Sequence, residues 1–190
     1  MEGKIVLQAK SNKDTSFVIR YPEKGDAFEM TNYLNALSKE RTYVSFQGEE
    51  ISLKEEQEYL ETLLKRIEQK KKVYLLMLTE AKIIGIAGID LGDRTQRHIG
   101  SLGISIFKDY RGEGLGKILM EKILEESINN LEELEIITLG LFSKNTLAYN
   151  MYKNFGFIEY GLLPNGTKLE NGYDDKIFMY KNVIWEEDQD

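Results

Sequence analysis

The chain has 190 residues, a mass of 22.0 kDa, a formal net charge of −7, no cysteine and one histidine. That length holds one substantial core and is short for two, so a single domain over 1–190 is expected. The negative charge argues against nucleic-acid binding, and with no cysteine and only His98 the chain lacks disulfides, thiolate ligands, a cysteine nucleophile and a multi-histidine centre, so no metal is expected.

The first residues, MEGKIVLQAK, contain no long apolar segment, and no apolar run in the chain reaches the length that spans a bilayer. A cytoplasmic protein without membrane association is expected. Lys4 to Ala9 and Ser16 to Tyr21 read as a strand or hairpin closed by Pro22. Met30, Tyr33, Leu34 and Leu37 then share one helical face, with Gly25 and Asp26 as the entry. Ser52 and Glu55 form a capping-box pattern ahead of Leu60, Leu63, Leu64 and Ile67, and Lys70 to Lys72 suit the negative end of that second helix.

Three strands follow at Val73 to Leu78, Ile83 to Leu91 and Ile99 to Phe107, with short polar turns that suit an antiparallel meander. In the third, Leu102, Ile104 and Ile106 alternate with Ser101, Gly103 and Ser105, so one face is apolar and the other small enough for a ligand to lie against it. A helix from Leu115 to Asn130 comes next, with Leu115, Ile118, Leu119, Ile123 and Ile128 inward. A buried strand at Ile136 to Leu141, a helix from Asn145 to Asn154, and strands at Phe157 to Leu163 and Tyr173 to Tyr180 complete the order. The fold class is mixed α/β, and Glu186, Glu187, Asp188 and Asp190 form an acidic tail over 185–190.

The chemistry centres on Arg111-Gly112-Glu113-Gly114-Leu115-Gly116-Lys117, between a strand and a helix. Glycines allow a sharp turn and close approach to a ligand, and the first N–H groups of the following helix have no intrahelical partner. Together with the helix dipole they suit a pyrophosphate. The motif is neither a P-loop nor the G-x-G-x-x-G dinucleotide fingerprint.

This segment resembles the signature of the GCN5-related N-acetyltransferases, a strand followed by R-G-x-G-[LI]-G at a helix start. The family's second pattern, N-x-x-A-x-x-x-Y and then G-F, is matched by Asn145, Ala148, Tyr152 and Gly156-Phe157. The resemblance covers 72–180, with Gly172 to Asp175 and Met179 similar to the closing strand of small-molecule members. It implies a single-domain fold with a central, mostly antiparallel mixed sheet flanked by about four helices and splayed where coenzyme A binds. Two positions depart from the pattern: Lys108 stands where proline is frequent, and Glu113 where a basic residue is frequent, so the Glu113 carboxylate must point away from the phosphates.

The resemblance further implies acetyl-CoA as acyl donor and a small-molecule, amino-acid or peptide amine as acceptor. Its expected cofactor-binding residues are Ile104, Ser105, Ile106, Arg111, Gly112, Gly114, Leu115, Gly116, Lys117, Asn145 and Tyr152. Ile104 and Ile106 would offer main-chain hydrogen bonds, the Ile106 N–H would stabilise the tetrahedral oxyanion, and Asn145 would bond the pantetheine amides. Tyr152 would protonate the departing thiolate, which makes Tyr152 and Ile106 the expected catalytic pair. Asn145 and Tyr152 lie two helical turns apart, about 10 Å.

Other readings of the same residues stand beside these. Ala148, Met151, Tyr152 and Phe155 form an apolar stripe that would make Tyr152 core, Asn145 fits a plain N-cap, and Tyr149 is an alternative acid. No base stands out: Glu40, Asp90 and Asp174 are acceptor-side candidates in positions typical of solvated loop or helix-end residues, and His98 is a further one. A non-catalytic acyl-CoA-binding regulatory domain is the alternative function, a nucleotide-binding module a more distant one, and a homodimer paired through a terminal strand such as Tyr173 to Tyr180 a further expectation.

Overall fold

A β-hairpin opens the chain in the computed structural model, which describes residues 1–183; the acidic tail at 185–190 lies outside the described residues. Strand β1 (Ile5–Lys10) pairs antiparallel with β2 (Ser16–Arg20), burying Phe17 and Ile19. A 3-10 turn at Lys24–Asp26 leads into α1 (Ala27–Lys39). Helix α2 (Leu53–Glu68) starts as its sequence predicts: the Ser52 hydroxyl accepts from the Glu55 N–H at 3.3 Å, and the Glu55 carboxylate accepts from the Ser52 N–H at 2.8 Å. Such caps typically contribute about 1 kcal/mol.

The meander follows as β3 (Lys72–Thr79), β4 (Lys82–Leu91) and β5 (Ile99–Ile106). Helix α3 (Leu115–Asn130) buries Leu115, Leu119, Met120, Ile123 and Leu124, each worth about 1.5–3 kcal/mol of apolar transfer. Ile118 and Ile128, expected inward, are half-buried; the buried stripe runs instead through Met120 and Leu124. After α3 come β6 (Ile136–Phe142), α4 (Thr146–Asn154), β7 (Ile158–Leu169) and β8 (Gly172–Asn182).

Among the described residues there are four α-helices and one mixed sheet of eight strands in the order β1-β2-β3-β4-β5-β6-β8-β7. The β5–β6 ladder is parallel, pairing Ile99, Gly100 and Ser101 with Ile136, Ile137 and Thr138, whereas β1–β2, β2–β3, β3–β4, β6–β8 and β7–β8 are antiparallel.

The chain falls into two compact units. The first comprises Met1–Asp90 and Gly103–Glu132, with its core at Met30, Leu63, Leu75, Met77, Ile84, Leu115 and Leu119. A Cβ at Gly85 would sit 2.6 Å from the Ile106 Cδ1 and 3.3 Å from the Ser105 carbonyl oxygen, so a larger residue there would displace the Ile106 side chain. The second comprises Leu91–Leu102 and the chain from Glu133 onward, with Ile137, Leu139, Phe157 and Met179 buried.

Two expectations for the second unit are corrected. The strand expected to stop at Leu163 runs on to Leu169, because the Pro164-Asn165-Gly166 segment forms an irregularity in the ladder between Leu163 and Thr167. Asn165 takes φ 54° there, and its N–H bonds the Asp175 carboxylate at 2.8 Å. The strand containing Tyr173 to Tyr180 is paired on both sides, by β6 and by β7, so it offers no free edge to a second copy; β7 ends the sheet order.

Candidate functional site

In the first unit, β5 reaches α3 through a 3-10 turn at Lys108–Tyr110 and then Gly112 and Gly114, at φ +77° and +79°. Both values lie in the left-handed region that a Cβ disfavours. Gly114 is the N-cap of α3 and supplies no side-chain acceptor. The first helical bonds run from the Lys117 and Ile118 N–H groups to the Gly114 carbonyl, at 3.1 and 3.2 Å. Among the described residues, the N–H groups from Gly112 to Gly116 have no protein acceptor. A run of free donors at the positive end of a sixteen-residue helix is a site for an anion.

The Glu113 carboxylate, which would repel that anion, is turned into the protein. It accepts from the Ser11 hydroxyl at 2.7 Å and the Thr15 hydroxyl at 2.9 Å, both on the β1–β2 connection. These bonds, Ser11 first, hold its pKa below the ordinary glutamate range against the opposing effect of burial. Asn12 stands beside the same turn, its amide nitrogen 3.1 Å from where a Gly114 Cβ would be. Separations of about a hundred residues hide these partners in the sequence; the signal available was the mismatch of an acidic residue at the variable position of the motif.

Arg111 is committed to the scaffold. Its Nε donates to the Ile106 carbonyl at 2.8 Å and its Nη2 to Glu40 at 2.6 Å, while Glu40 also accepts from the Lys108 N–H at 3.3 Å. Leu115 is core, and Lys117 is exposed with Glu121 at 3.9 Å. The Phe107 N–H bonds the Ile84 carbonyl of β4 at 2.8 Å, so strand alternation directs the main-chain groups of Ile106 and Ile104 to the edge away from β4. Ser105 between them pairs its hydroxyl with that of Tyr33 at 2.9 Å.

In the second unit, Asn145 caps α4: its side-chain oxygen accepts from the Ala148 N–H at 3.2 Å. Its Nδ2 has no acceptor among the described residues, so capping leaves a donor free. Asp174 fixes the turn ahead of it, accepting from the Ser143 hydroxyl at 2.8 Å and the Lys144 N–H at 3.4 Å. Tyr152 is buried beside Phe157, with ring centroids 5.9 Å apart, and its hydroxyl has no hydrogen-bond partner among the described residues. Burial pushes its phenol up to about 12. The alternative acid, Tyr149, instead donates to Glu159 at 3.0 Å.

The three carboxylates expected to be solvated are all engaged. Glu40 holds Arg111, Asp90 accepts from Arg66 Nη2 at 2.6 Å and pairs with Lys72 at 3.1 Å, and Asp174 is 3% exposed. His98 is half-buried, and its carbonyl accepts from the N–H groups of Glu135 and Ile136. The residue that sequence reasoning passed over is Glu56, which is 2% exposed in the first turn of α2. Its place four residues before Leu60 on the buried stripe was the available signal.

A profile of the acetyltransferase (GNAT) family matches residues 34–157. The crystal structure of a GNAT-family acetyltransferase from Streptococcus pneumoniae is 31% identical, covers 88% of this chain and 99% of its own, and superposes with a TM-score of 0.81. YncA of Salmonella typhimurium, solved with its cofactor acetyl-CoA, is 16% identical with a TM-score of 0.77, covering 92% and 98%. Spermidine N-acetyltransferase from Vibrio cholerae, solved with CoA and spermine, is 24% identical with a TM-score of 0.70, covering 87% and 95%. No curated protein matches the chain. No helix among the described residues is long and apolar enough to cross a membrane.

Proposed function

This chain belongs to the acetyltransferase (GNAT) family, and on that premise we propose that it is an N-acetyltransferase that moves an acetyl group from acetyl-CoA to a primary amine of a small molecule, an amino acid or a peptide. The observation that carries the reading is the run of unpartnered N–H groups from Gly112 to Gly116 at the start of α3, with the Glu113 carboxylate held elsewhere by Ser11 and Thr15. Those donors suit the pyrophosphate of acetyl-CoA. The family match runs through parts of both compact units, which supports one acetyltransferase domain over 1–190.

Ile104, Ser105 and the free Nδ2 of Asn145 are assigned to the pantetheine arm in this reading. Gly112, Gly114, Leu115 and Gly116 are assigned to the phosphates through their main-chain N–H groups, and Lys117, whose N–H is spent on the Gly114 carbonyl, through its exposed ammonium. Arg111 acts by fixing the turn to Ile106 and Glu40. The amine nitrogen attacks the thioester carbon, the N–C bond forms, the C–S bond breaks, and one proton leaves the amine. The Ile106 N–H is aimed at the oxyanion, a donor role worth about 3–4 kcal/mol in related acyl transfer. The Tyr152 hydroxyl donates to the departing thiolate.

The acceptor must be neutral to attack. A lysine-like amine at pH 7 lies about 3.4 pKa units below half-ionisation, so presenting it neutral costs roughly 4.6 kcal/mol. Incubation of the protein with acetyl-CoA and a panel of polyamines, amino acids and peptides, with colorimetric detection of free thiol, tests the assignment. Acceptor-dependent thiol release is expected. Acetyl-CoA binding with no turnover on the whole panel would make the chain an acyl-CoA-binding protein that does not transfer.

A further inference from the structure

Glu113 is an acid in a turn suited to an anion, and it is held in place rather than merely displaced. An alanine or a glycine at this position would clear the phosphates equally well and leave no carboxylate to shelter. The chain instead keeps a glutamate that is 6% exposed and spends the hydroxyls of Ser11 and Thr15 on one of its oxygens, across separations of 102 and 98 residues. Both segments belong to the same compact unit. Hydrogen bonds to an ionised acceptor are about twice as strong as neutral ones, so the carboxylate ties the β1–β2 connection firmly to the glycine turn.

The tied loop has a defined shape. The Ser11 N–H donates to the Thr15 carbonyl at 2.9 Å and the Asp14 N–H to the Ser11 carbonyl at 3.1 Å, with Asp14 at φ 63°. The Ser11 hydroxyl, besides donating to Glu113, accepts from the N–H groups of Lys13 and Thr15 at 3.1 and 3.2 Å. One side chain therefore both closes the loop and fastens it. Next to it stands Asn12, exposed, with Nδ2 3.1 Å and Cγ 3.8 Å from where a Cβ on Gly114 would lie. The Asn12 carboxamide has no hydrogen-bond partner among the described residues, and Gly114 is in the middle of the run of free N–H groups. From Lys10 to Thr15 the loop carries two lysines against one acid, Asp14, which pairs with Lys10 at 3.4 Å, so its own charge favours an anion.

We propose that Asn12 is a further ligand of the acetyl-CoA phosphates, and that Glu113, through Ser11 and Thr15, is the positioning residue that holds Asn12 beside the turn. The inference rests on the acetyl-transfer reading and adds a second segment of the chain to its phosphate site. A carboxamide offers two N–H donors and brings no charge of its own. Glu113 thereby acquires an effect opposite to its charge: an acid in the phosphate turn strengthens acetyl-CoA binding, because the donor it places outweighs the repulsion it brings.

The test is acetyl-CoA calorimetry, with a thermal melt on each protein, for wild type, Asn12→Ala, Glu113→Ala, Glu113→Gln and the double variant Asn12→Ala/Glu113→Ala. Asn12→Ala should keep the wild-type Tm and weaken binding about 10-fold or more, the size of a lost hydrogen bond to a charged group. Glu113→Ala should weaken binding by a similar factor, although removal of the charge alone would tighten it. Glu113→Gln keeps an oxygen for the two hydroxyls and should bind as wild type does or tighter. The double variant should bind about as the weaker single does, because both changes cost the same contact. Wild-type affinity in Asn12→Ala overturns the ligand role. A folded Glu113→Ala that binds as tightly as wild type or tighter overturns the positioning role, as do a Glu113→Gln as weak as Glu113→Ala and losses that multiply in the double variant. Should Glu113→Ala not fold, Thr15→Val, which cuts one of the two ties, replaces it: weakened binding is expected, and unchanged affinity overturns the positioning. A folded wild type that binds no acetyl-CoA overturns the reading of the turn itself, whereas wild-type binding with unaffected variants removes this inference alone.

Discussion

Replacing Tyr152 with phenylalanine removes one oxygen that has no hydrogen-bond partner among the described residues, so Tyr152→Phe should leave stability within about 0.5 kcal/mol. Its effect belongs to catalysis. With the phenol at about 12 and a thiol near 8.5, full transfer of the phenol proton to a thiolate runs uphill by about 3.5 units, roughly 4.8 kcal/mol. The hydroxyl therefore acts chiefly by donating a hydrogen bond to the developing thiolate, and the net proton derives from the amine. A hydrogen bond to a charged group contributes about 1.5–3 kcal/mol, which corresponds to a fall of about 10- to 150-fold in kcat. The assay is steady-state thiol release beside acetyl-CoA calorimetry, with Tyr149→Phe as control because that hydroxyl is spent on Glu159. Unchanged turnover in Tyr152→Phe would remove the residue from the mechanism, and an equal loss in Tyr149→Phe would point to general disruption of α4.

Gly112→Ala tests the left-handed turn: a Cβ there meets no atom within 4 Å, so the cost is backbone strain of about 1–2 kcal/mol, or roughly 2–8 °C in Tm. An alanine variant as stable as wild type would contradict that conformation. Because Ser11 and Thr15 hold the Glu113 carboxyl below its ordinary range, their stabilisation is present above the unfolded pKa and lost as pH falls through the folded one. Ser11→Ala should therefore shrink the difference in Tm between pH 7 and pH 3, and an unaltered difference would argue against the bond. Glu56 has the opposite sign: between the ordinary glutamate range and about pH 7 the folded chain keeps a proton that the unfolded chain has lost, so stability falls as pH rises. Discounted for partial solvation, the decline is about 1–3 kcal/mol, and urea titrations at pH 5 and pH 8 should show it in wild type and not in Glu56→Gln.

Local signals carried most of the fold. The Ser52 and Glu55 pair marked the start of α2, and the glycines before Leu115 marked the start of α3, because caps and left-handed turns are decided within a few residues. The Pro164-Asn165-Gly166 segment misled for the same reason: it reads locally as a turn, whereas the long partner β8 carries the strand past it. At the site, the sequence supplied the glycine turn and the Asn145 and Tyr152 pair as candidates. It did not supply the contacts that orient them: Ser11 and Thr15 on Glu113, Glu40 on Arg111, and Ser143 on Asp174 each join segments far apart in the chain. Glu56 was hidden by its chemistry, since a second glutamate in a capping turn reads as solvated.

Calorimetric titration of the purified protein with acetyl-CoA, beside Gly114→Glu, tests the central claim most directly. A carboxylate at Gly114 would stand among the free N–H groups of the turn at φ +79°. Saturable binding by wild type that is lost in the folded variant is the predicted result. A folded wild type that does not bind acetyl-CoA, or a variant that binds it equally well, would contradict the assignment of this turn to the pyrophosphate.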